Sequence, residues 1–450
     1  MKVTKFGGSS VADATQLRKV LAIIQADSER RFIIVSAPGK RNKNDIKVTD
    51  LLIDYANAFL EKRDTRSFEL AIIARFNEIS EALNLSKALP EIAVYITNLK
   101  QTTLTSTPRI MDLFKSSGEN CHAMLIAEFL TSQGTPAVYV NPKDAGLIVE
   151  DIPGDAIIKK ESYQAIYNLR KLTKVAVIPG FFGYTDEGNI CTFSRGGSDV
   201  TGAIISAGIK ADIYENFTDV DAIYSANPGL IPNCHAIKEL TFSEMRELSY
   251  SGFTVLHDEA LMPAYQGNIP VVIKNTNNPD APGTRISFKR STKEESVVGI
   301  AGDSGFTSIY LSKYLMNRQI GFGYSVLKIL KELNLQFEHI PSGIDDMTII
   351  MRKNQLNEAI EEQLITRLRT ELDLDELVVK HDISMIALVG EGMRNNIGVA
   401  SRATSALSRN NINLEMISQG SSEVSILFAI SDAKEKDAIK ALYYEFFCLA

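Results

Sequence analysis

A glycine-containing segment near the amino terminus, Lys5-Phe6-Gly7-Gly8-Ser9-Ser10, has the residue types of an anion-binding site. It follows the alternating run Lys2-Val3-Thr4, which predicts a β-strand that leads directly into a glycine turn. Two glycines let the backbone approach a ligand closely, and their N–H groups together with the lysine and two hydroxyls favour a phosphate. The lysine precedes the glycines, so the segment is not a Walker A loop. A tight turn with an exposed lysine is the alternative interpretation.

A second glycine segment, Arg195-Gly196-Gly197-Ser198-Asp199, follows a predicted strand over residues 190–193 and opens a predicted helix. The amino end of a helix offers free N–H groups and the positive end of the helix dipole, which suit a carboxylate or a phosphate. Arg195 adds the possibility of bidentate carboxylate recognition. The alternative is an ordinary helix start in which Asp199 stabilises the first turn.

Two other polar segments contain candidate ligand-binding residues. Ser116-Ser117-Gly118-Glu119 is predicted to start a helix, where Glu119 either accepts an ammonium group or forms a capping box with Ser116. The segment Thr218-Asp219-Val220-Asp221-Ala222-Ile223-Tyr224 follows a predicted strand over residues 213–217. Its tyrosine could stack on a nucleotide base, and an ordinary loop is the alternative.

The elements that position these segments follow an alternating order. Over residues 1 to about 290, apolar strand-like runs alternate with helical patterns, which predicts an α/β fold with a parallel sheet and helices on both faces. Ligands bind at the carboxyl ends of the strands in such sheets. The predicted strands include residues 32–37, 137–140, 175–180 and 269–273, and the predicted helices include residues 13–26 and 199–207.

An internal repeat follows a polar linker at residues 288–295. With an offset of 77 positions, Ile320-Gly321 aligns with Ile397-Gly398 and Asn334-Leu335 aligns with Asn411-Ile412 without a gap. Each copy has the pattern of a strand, a glycine loop, an amphipathic helix, an Asn-containing turn and two more strands. The repeat predicts two small βαββ units whose sheets pair side by side and hold a small ligand.

Composition excludes several classes of protein. A chain of 450 residues with 45% hydrophobic and 23% charged residues predicts two or three globular domains. The net charge of −7 argues against a nucleic-acid partner. The four cysteines and five histidines show neither disulfide nor metal-ligand spacing. With no apolar signal region or membrane-spanning run, the sequence predicts a cytoplasmic protein without a membrane partner.

Taken together, the segments at residues 5–11, 35–37, 117–119, 195–199 and 218–224 resemble those of aspartate kinases, in the same order and at similar spacing. This enzyme belongs to the amino-acid-kinase family, and the repeat resembles its pair of ACT regulatory domains. The resemblance implies a three-layer α/β/α kinase domain with a mainly parallel sheet, followed by two ferredoxin-like βαββαβ domains. The implied kinase domain spans residues 1–290. The implied first ACT domain spans residues 299–382, with possible interleaving of the carboxyl-terminal tail, and the second spans residues 383–450.

The resemblance implies ATP-dependent phosphorylation of the side-chain carboxylate of L-aspartate, with Mg²⁺, as the first step of lysine, threonine and methionine biosynthesis. A carboxylate needs no general base, so catalysis would consist of positioning and charge neutralisation. The implied catalytic residues are Lys5 and Asp199. The implied aspartate-binding residues are Thr49, Glu119, Arg195 and Ser198. The implied ATP-binding residues are Lys5, Gly7, Gly8, Ser9, Ser36, Thr218, Asp219 and Tyr224.

The sequence departs from the family pattern at two positions that usually carry positive charge near the nucleotide. The nucleotide loop ends in Asn227-Pro228-Gly229 where the family has Asp-Pro-Arg, and Thr254 replaces a lysine before Val255-Leu256-His257. Lys274 or a lysine of residues 40–43 is a candidate substitute. These departures put ATP affinity in question more than the type of reaction.

Feedback inhibition by a pathway product, with lysine as the first candidate, is a further hypothesis. It rests on the first repeat copy, whose loop-to-helix turn could bind the carboxylate of an amino acid and whose Glu338 could bind its ammonium. A solvated strand residue is the alternative for Glu338. ACT pairing implies a homodimer, and assembly into tetramers stays open. The candidate effector residues are Met316, Gln319, Gly321, Phe322, Gly323, Phe337 and Glu338.

Two alternative functions stay open at this point. One is a different amino-acid kinase, acting on glutamate or acetylglutamate. The other is an amino-acid sensor whose kinase centre has decayed, which the uncharged residues Gly229 and Thr254 would permit. Lys5, Glu119, Arg195 and Asp199 argue against decay.

Overall fold

The structure, a computed structural model, describes residues 1–194, 196–253, 255–256, 258–290 and 295–448. The chain divides into two compact units. The first contains Met1–Ile223, Ala236–Met245 and Thr254–Arg290, and the second contains Tyr224–His235, Arg246–Phe253 and Ser291–Ala450. The second unit therefore includes two short segments that precede residue 290 in the chain.

The first unit is built on an eight-stranded sheet with the order β3-β4-β2-β1-β7-β9-β10-β8. The strands from β3 to β9 in this order run parallel, whereas β10 is antiparallel to β9. A separate hairpin pairs β5 with β6. The strands are β1 (Lys2–Phe6), β2 (Arg30–Val35), β3 (Ala137–Tyr139), β4 (Val175–Pro179), β5 (Phe182–Tyr184), β6 (Ile190–Thr192), β7 (Ile213–Thr218), β8 (Glu239–Thr241), β9 (Val271–Asn275) and β10 (Thr284–Ser287).

Helices cover both faces of this sheet, as the α/β pattern predicts. The first five pack with Phe6, Ile33 and Phe217 in one buried cluster on one face. On the other face α7 packs against β1, β2 and β7 and contacts α6 and α9. The helices from the amino terminus to residue 266 are α1 (Ala14–Gln25), α2 (Val48–Leu60), α3 (Arg66–Leu83), α4 (Ala88–Asn98), α5 (Thr107–Ser132), α6 (Ser162–Tyr167), α7 (Gly197–Gly208), α8 (Phe242–Tyr250) and α9 (Met262–Gln266).

Local sequence signals account for several helix boundaries. Asp13 caps α1 by accepting a hydrogen bond from the backbone N–H of Gln16 at 2.9 Å, which confirms the helix predicted over residues 13–26. The prediction that Ser116–Glu119 starts a helix is wrong, because these residues lie in the middle of α5. The hydroxyls of Ser116 and Ser117 donate to the Leu113 carbonyl within the helix and form no cap.

One buried ion pair crosses the middle of the sheet. Arg30 donates to both oxygens of Glu215, from Nε at 2.6 Å and from Nη2 at 3.0 Å, and the two side chains are 10% and 6% exposed. Thr4 adds a hydrogen bond to the same carboxylate at 3.2 Å. Removal of one partner would leave the other charge buried without compensation.

Glu215→Ala is therefore expected to lower the free energy of unfolding by about 3–5 kcal/mol, as measured by urea denaturation. Glu61→Ala is the matched control, because Glu61 forms an exposed pair with Arg63 and exposed pairs contribute little. Equal small losses in both variants would contradict the stabilising role of the Arg30–Glu215 pair.

The second unit contains a five-stranded antiparallel sheet with the order β12-β11-β13-β15-β14. Two strands of fourteen residues each, β11 and β13, run through both halves of this sheet, so the two repeat copies share one continuous sheet. Its elements are β11 (Gly299–Ser312), α10 (Phe322–Glu332), β12 (Asp346–Arg352), α11 (Glu358–Leu372), β13 (Glu376–Val389), α12 (Val399–Arg409), β14 (Met416–Gln419), β15 (Ser425–Ser431) and α13 (Glu435–Tyr443).

The backbone confirms the internal repeat. Gly321 and Gly398 precede α10 and α12 with φ angles of 84° and 93°, and Asn334 and Asn411 follow these helices with φ angles of 54° and 53°. The left-handed region favours glycine and asparagine, which explains their recurrence at these positions. The copies differ in one strand, because the counterpart of β14 in the first copy is reduced to two isolated bridges, His339 with Ile350 and Ser342 with Met347.

Within the described part of the chain, no helix is both long and apolar enough to span a bilayer. All four cysteines are free thiols, and Cys121, Cys191 and Cys234 are buried.

Candidate active site

The carboxyl ends of four neighbouring parallel strands form one edge of the first unit. β1 ends at Phe6, β2 at Val35, β4 at Pro179 and β7 at Thr218. β1, β2 and β7 are each followed by a segment that the sequence marks as a candidate ligand contact. Parallel pairing therefore brings the candidates together, as expected for sheets of this kind.

Lys5 and Asp199 form an ion pair at this edge, with 2.6 Å between Nζ and Oδ1. Asn216 on β7 connects the two, because its amide nitrogen donates to Asp199 at 2.8 Å and its amide oxygen accepts from Lys5 at 3.3 Å. Lys5 is 7% exposed and Asn216 is 3% exposed. A cation in so dry a position interacts strongly with an anionic ligand.

The glycine turn lies directly beside the Lys5 ammonium. A Cβ atom added to Gly7 would stand 3.3 Å from Lys5 Nζ, so a side chain there would crowd the ammonium. The Gly7 N–H donates to the Phe217 carbonyl at 3.1 Å, and a short turn of helix follows from Gly8 to Val11. Ser9 is exposed, and Ser36 on the adjacent loop donates its N–H to the Phe6 carbonyl at 3.2 Å.

Glu119 is a buried carboxyl group on α5. It is 5% exposed, and its Oε2 atom has no hydrogen-bond partner. Burial raises the pKa of Glu119 to about 8, although hydrogen bonds from the N–H groups of Ala37 and of Glu119 itself oppose the increase. An unpartnered oxygen in a dry site is costly unless a ligand supplies a donor.

One turn further along α5, His122 holds the loop that contains Ser36. Its Nδ1 lies 2.8 Å from the Ser36 carbonyl oxygen, so Nδ1 carries the proton and donates it. Burial lowers the pKa of His122 to about 4, and the ring is therefore neutral at physiological pH. Directly before Glu119, Gly118 lets α5 approach Ala37, whose Cβ would lie 2.8 Å from an added Cβ atom.

The remaining predicted aspartate-binding residues lie at helix starts near the same edge. Thr49 is the second residue of α2, next to Val48, whose side chain lies beside Gly118. Ser198 is in the first turn of α7, and an added Cβ atom on Gly180 would lie 2.7 Å from its Oγ. Arg195, the predicted carboxylate clamp, lies outside the described residues.

The predicted nucleotide-binding residues are divided between the two units. Thr218 ends β7 in the first unit and donates from Oγ1 to Asp219 at 3.2 Å. Tyr224 belongs to the second unit, where it packs against a buried apolar cluster. Thr254, one of the two uncharged departures, is not among the described residues. At the other departure the Gly229 N–H donates to Asn227 at 2.8 Å.

The predicted effector residues lie at opposite ends of α10. Met316, Gln319, Gly321, Phe322 and Gly323 precede or begin this helix, and Met347 at the start of β12 is the side chain nearest to Gly323. Phe337 and Glu338 instead line a cavity of about 660 Å³ together with Lys331 and Asn334 near the carboxyl end of α10. Glu338 accepts hydrogen bonds from Tyr250 and from Arg352, the latter at 3.2 Å. Within one chain, the effector residues at the amino end of α10 are therefore separated from Phe337 and Glu338.

The amino acid kinase family matches residues 1–275, and the ACT domain family matches residues 386–446. Aspartokinase 3 of Bacillus subtilis is 50% identical over 448 residues, with 99% of each chain covered. This chain belongs to the aspartate kinases. The aspartate kinase of Clostridium acetobutylicum, described as an allosteric enzyme, has a solved structure that superposes with a TM-score of 0.88 at 36% identity, covering 99% of this chain and 100% of that chain.

The fold is also shared with Escherichia coli aspartokinase III, which is 24% identical. Its complex with aspartate and ADP superposes with a TM-score of 0.76, and its complex with lysine and aspartate with a TM-score of 0.74. The fold expected from the sequence, an amino-acid-kinase domain with a mainly parallel sheet followed by ACT domains, is thereby confirmed, as is membership of the aspartate kinases.

Sequence reasoning missed several residues that shape the aspartate kinase site. Asn216 is one of two polar residues inside an otherwise apolar strand, a signal that could have identified it. His122 shares a face of α5 with Glu119 at a spacing of three residues, which becomes visible only once α5 is recognised as one long helix. Arg75 on α3, which donates to Asp45 and to the carbonyl of Gly39, was not marked by any local pattern in the sequence.

Proposed function

We propose that the edge defined by Lys5, Glu119 and Asp199 transfers the γ-phosphoryl group of ATP to the side-chain carboxylate of L-aspartate, giving ADP and 4-phospho-L-aspartate. The observation that carries this proposal is the pairing of two complementary sites at one sheet edge. One is a buried ammonium beside a glycine turn, and the other is a buried carboxyl oxygen without a partner.

On the acceptor side, Glu119 binds the α-ammonium of aspartate, which supplies the missing donor for Oε2. Arg195 binds the α-carboxylate, and Thr49 and Ser198 add hydroxyl contacts at the starts of α2 and α7. This arrangement leaves the side-chain carboxylate of aspartate free to point towards the phosphate side. It attacks as the carboxylate anion, so no residue is required as a general base.

On the donor side, Lys5 neutralises the transferring phosphoryl group, and the N–H groups of Gly8 and Ser9 with Ser36 complete the phosphate cradle. The N–H of Gly7 is already bonded to the Phe217 carbonyl, so Gly7 contributes by leaving the space beside the ammonium open. Asp199 and Asn216 orient the Lys5 ammonium. The proposed adenosine contacts in the first unit are Thr218 and Asp219, and the role of Tyr224, which belongs to the second unit, stays a prediction. Fixed donors at the developing charge require no reorganisation during the reaction.

Mg²⁺ is proposed to accompany ATP. Among the described residues no three His, Cys, Asp or Glu side chains converge as a metal cage. This fits Mg²⁺, because the ion keeps water and phosphate oxygens as most of its ligands and needs only one or two carboxylates. Asp199 is the carboxylate at the phosphate side, and the bound ion would shield the β- and γ-phosphates.

The kinase assignment is tested by ADP release with Mg-ATP and L-aspartate, L-glutamate or no acceptor. Release that depends on aspartate supports the proposal. Release that prefers glutamate favours the other amino-acid kinase. A protein that releases no ADP with any acceptor and still binds lysine favours the sensor.

Residues 299–450 are proposed to regulate the enzyme as two ACT domains, at 299–382 and 383–450, and residues 1–290 are proposed as the catalytic domain. We infer that L-lysine binds between the two subunits of a homodimer. The amino end of α10 in one subunit would contact the lysine together with Phe337 and Glu338 of the other subunit. The eleven residues of α10 extend about 16 Å, too far for one lysine to contact both ends of the helix in a single chain. The proposed setting is the cytoplasm.

Glu338→Gln is expected to raise the lysine concentration for half-maximal inhibition about tenfold or more, because a charge-assisted contact to the lysine ammonium is lost. The matched control is Glu415→Gln, since Glu415 is the repeat counterpart of Glu338 and pairs with Lys380 at 2.6 Å. Lysine titrations of both variants in the kinase assay check this. If lysine has no effect on the parent enzyme, or if both variants respond alike, the effector assignment is wrong.

A further inference from the structure

Two positions at which the resemblance to aspartate kinases implies a cation near the nucleotide carry no charge in this sequence. Gly229 carries no charge, and the sequence has a threonine at position 254. We propose that Lys40 supplies this charge and binds the phosphates of ATP, an inference that rests on the proposed function. It depends on how the loop that contains Lys40 is held against the glycine turn.

The two loops touch through glycines. The Gly39 N–H donates to the Gly8 carbonyl at 3.0 Å. An added Cβ atom on Gly39 would lie 2.5 Å from the carbonyl carbon of Gly8 and 2.8 Å from the Ser9 nitrogen, so only glycine permits this approach. Lys40 is the next residue, and its Cα lies about 3.8 Å from that of Gly39. Its four-carbon stem brings the ammonium within reach of any phosphate on the Gly8 and Ser9 N–H groups.

A buried arginine fixes both loops. Arg75 on α3 is 5% exposed, and its Nη2 donates to the Gly39 carbonyl at 2.6 Å and to the Ala12 carbonyl at 3.2 Å. Its Nη1 donates to Asp45 at 2.7 Å. Arg75 therefore connects the chain just after the glycine turn with the chain just before Lys40. Such a connection limits the freedom of the loop and positions the side chain that follows.

The neighbouring arginine is already neutralised. Arg41 donates from Nε and Nη2 to Asp45, both at 2.9 Å, and it also pairs with Glu78. Hydrogen bonds from Arg41 and Arg75 hold the pKa of the Asp45 carboxyl far below its usual range, so Asp45 stays ionised. Among the carboxylates that the structure describes, none forms an ion pair with Lys40. Within the described part of the chain, Lys40 is thus the cation without an ion pair that directly follows Gly39, the residue held against Gly8.

Lys274 is less suited to the role. It pairs in register with Phe217 on β7, and its Nζ lies 6.0 Å from the centre of the Phe217 ring. Lys5 pairs in register with Asn216. Because neighbouring residues of a strand point to opposite faces, Lys274 lies on the sheet face opposite to Lys5 and Asn216.

The test compares Lys40→Met with Lys174→Met, which removes an exposed lysine just before β4 at the amino end of the parallel strands. The KM for Mg-ATP in the aspartate-dependent assay and the ADP dissociation constant from calorimetry are measured for each. We expect Lys40→Met to raise both about tenfold or more, with the KM for aspartate unchanged, and Lys40→Arg to restore them. Lys174→Met should stay within twofold of the parent.

If the parent enzyme is active and Lys40→Met has the same KM for Mg-ATP and the same dissociation constant for ADP as the parent, the inference is overturned and the proposed function is left intact. The inference is also overturned if Lys43→Met weakens ADP binding and Lys40→Met does not. A parent enzyme that fails to phosphorylate aspartate would instead contradict the proposed function, and calorimetry with ADP would still test the role of Lys40.

Discussion

Lys5→Met is expected to lower kcat by a factor of about 10²–10³ or more, the size of effect seen when a fixed donor at a developing charge is removed. Methionine has nearly the volume of the lysine stem but carries no charge. The loss should appear in kcat because the contact to the phosphoryl group strengthens as charge moves during transfer. Steady-state kinetics with saturating ATP and aspartate measure it.

The control for this prediction is Lys2→Met. Lys2 lies on the same strand at the opposite end of the sheet, where it pairs with Asp27 at 2.7 Å. Its removal should leave kcat within about twofold, and circular dichroism should show both variants folded. If the Lys5→Met protein is folded and has the kcat of the parent, the assignment of Lys5 to the phosphate cradle is wrong.

Glu119→Gln is expected to raise the KM for aspartate by a factor of about 10–150, which corresponds to the loss of a charged hydrogen bond worth about 1.5–3 kcal/mol. Glutamine keeps the shape of the side chain but cannot offer an ionised oxygen to the α-ammonium. Initial rates at varied aspartate concentration measure the change. The control is Glu69→Gln, another buried carboxyl, which Lys100 and Thr97 hold away from the site and which should leave this KM unchanged.

The same substitution should change the pH dependence of stability. The pKa of Glu119 is raised from 4.5 to about 8 in the ligand-free protein, so the folded state keeps a proton that the unfolded state releases between these values. The stability contributed by this group is therefore complete below pH 4.5 and is lost as the pH rises through 8. Glu119→Gln does not titrate, and its stability relative to the parent should increase from pH 5 to pH 8.5 in urea denaturation.

Aspartate binding should reverse this shift, because the α-ammonium stabilises the ionised carboxylate. Binding to the parent at pH 7 is therefore expected to release a proton, which calorimetry in buffers of different ionisation enthalpy detects. Glu119→Gln should release none from this position. Equal proton release by both proteins would show that Glu119 does not titrate on binding.

Local patterns predicted the parts of the site that lie next to one another in the chain. The glycine turn at Gly7 and Gly8 follows β1, and the segment at 196–199 opens α7. The repeat places Gly321 and Gly398 before equivalent helices. Each of these depends on the conformational preferences of a few neighbouring residues, such as glycine at a loop or a cap at a helix start. The alternation of strands and helices likewise predicted the mainly parallel sheet.

Contacts between distant segments gave no such signal. Arg75 meets Gly39 and Asp45 only because α3 folds back along the loop before α2, and nothing in its neighbourhood in the sequence predicts a buried arginine. The local pattern at Ser116–Gly118 resembled a helix start, yet the packing of α5 against Ala37 and Val48 kept the helix continuous. Tertiary packing decided there against the local preference.

The central claim is that Lys5 and Glu119 belong to one site, which phosphorylates the side-chain carboxylate of aspartate. Hydroxylamine trapping of the acyl phosphate, with mass spectrometry of the product, tests it most directly. The parent enzyme with Mg-ATP and L-aspartate is expected to form aspartate β-hydroxamate in proportion to ADP, and Lys5→Met and Glu119→Gln should each reduce its formation. ADP release without β-hydroxamate, or a preference for glutamate hydroxamate, would contradict the claim.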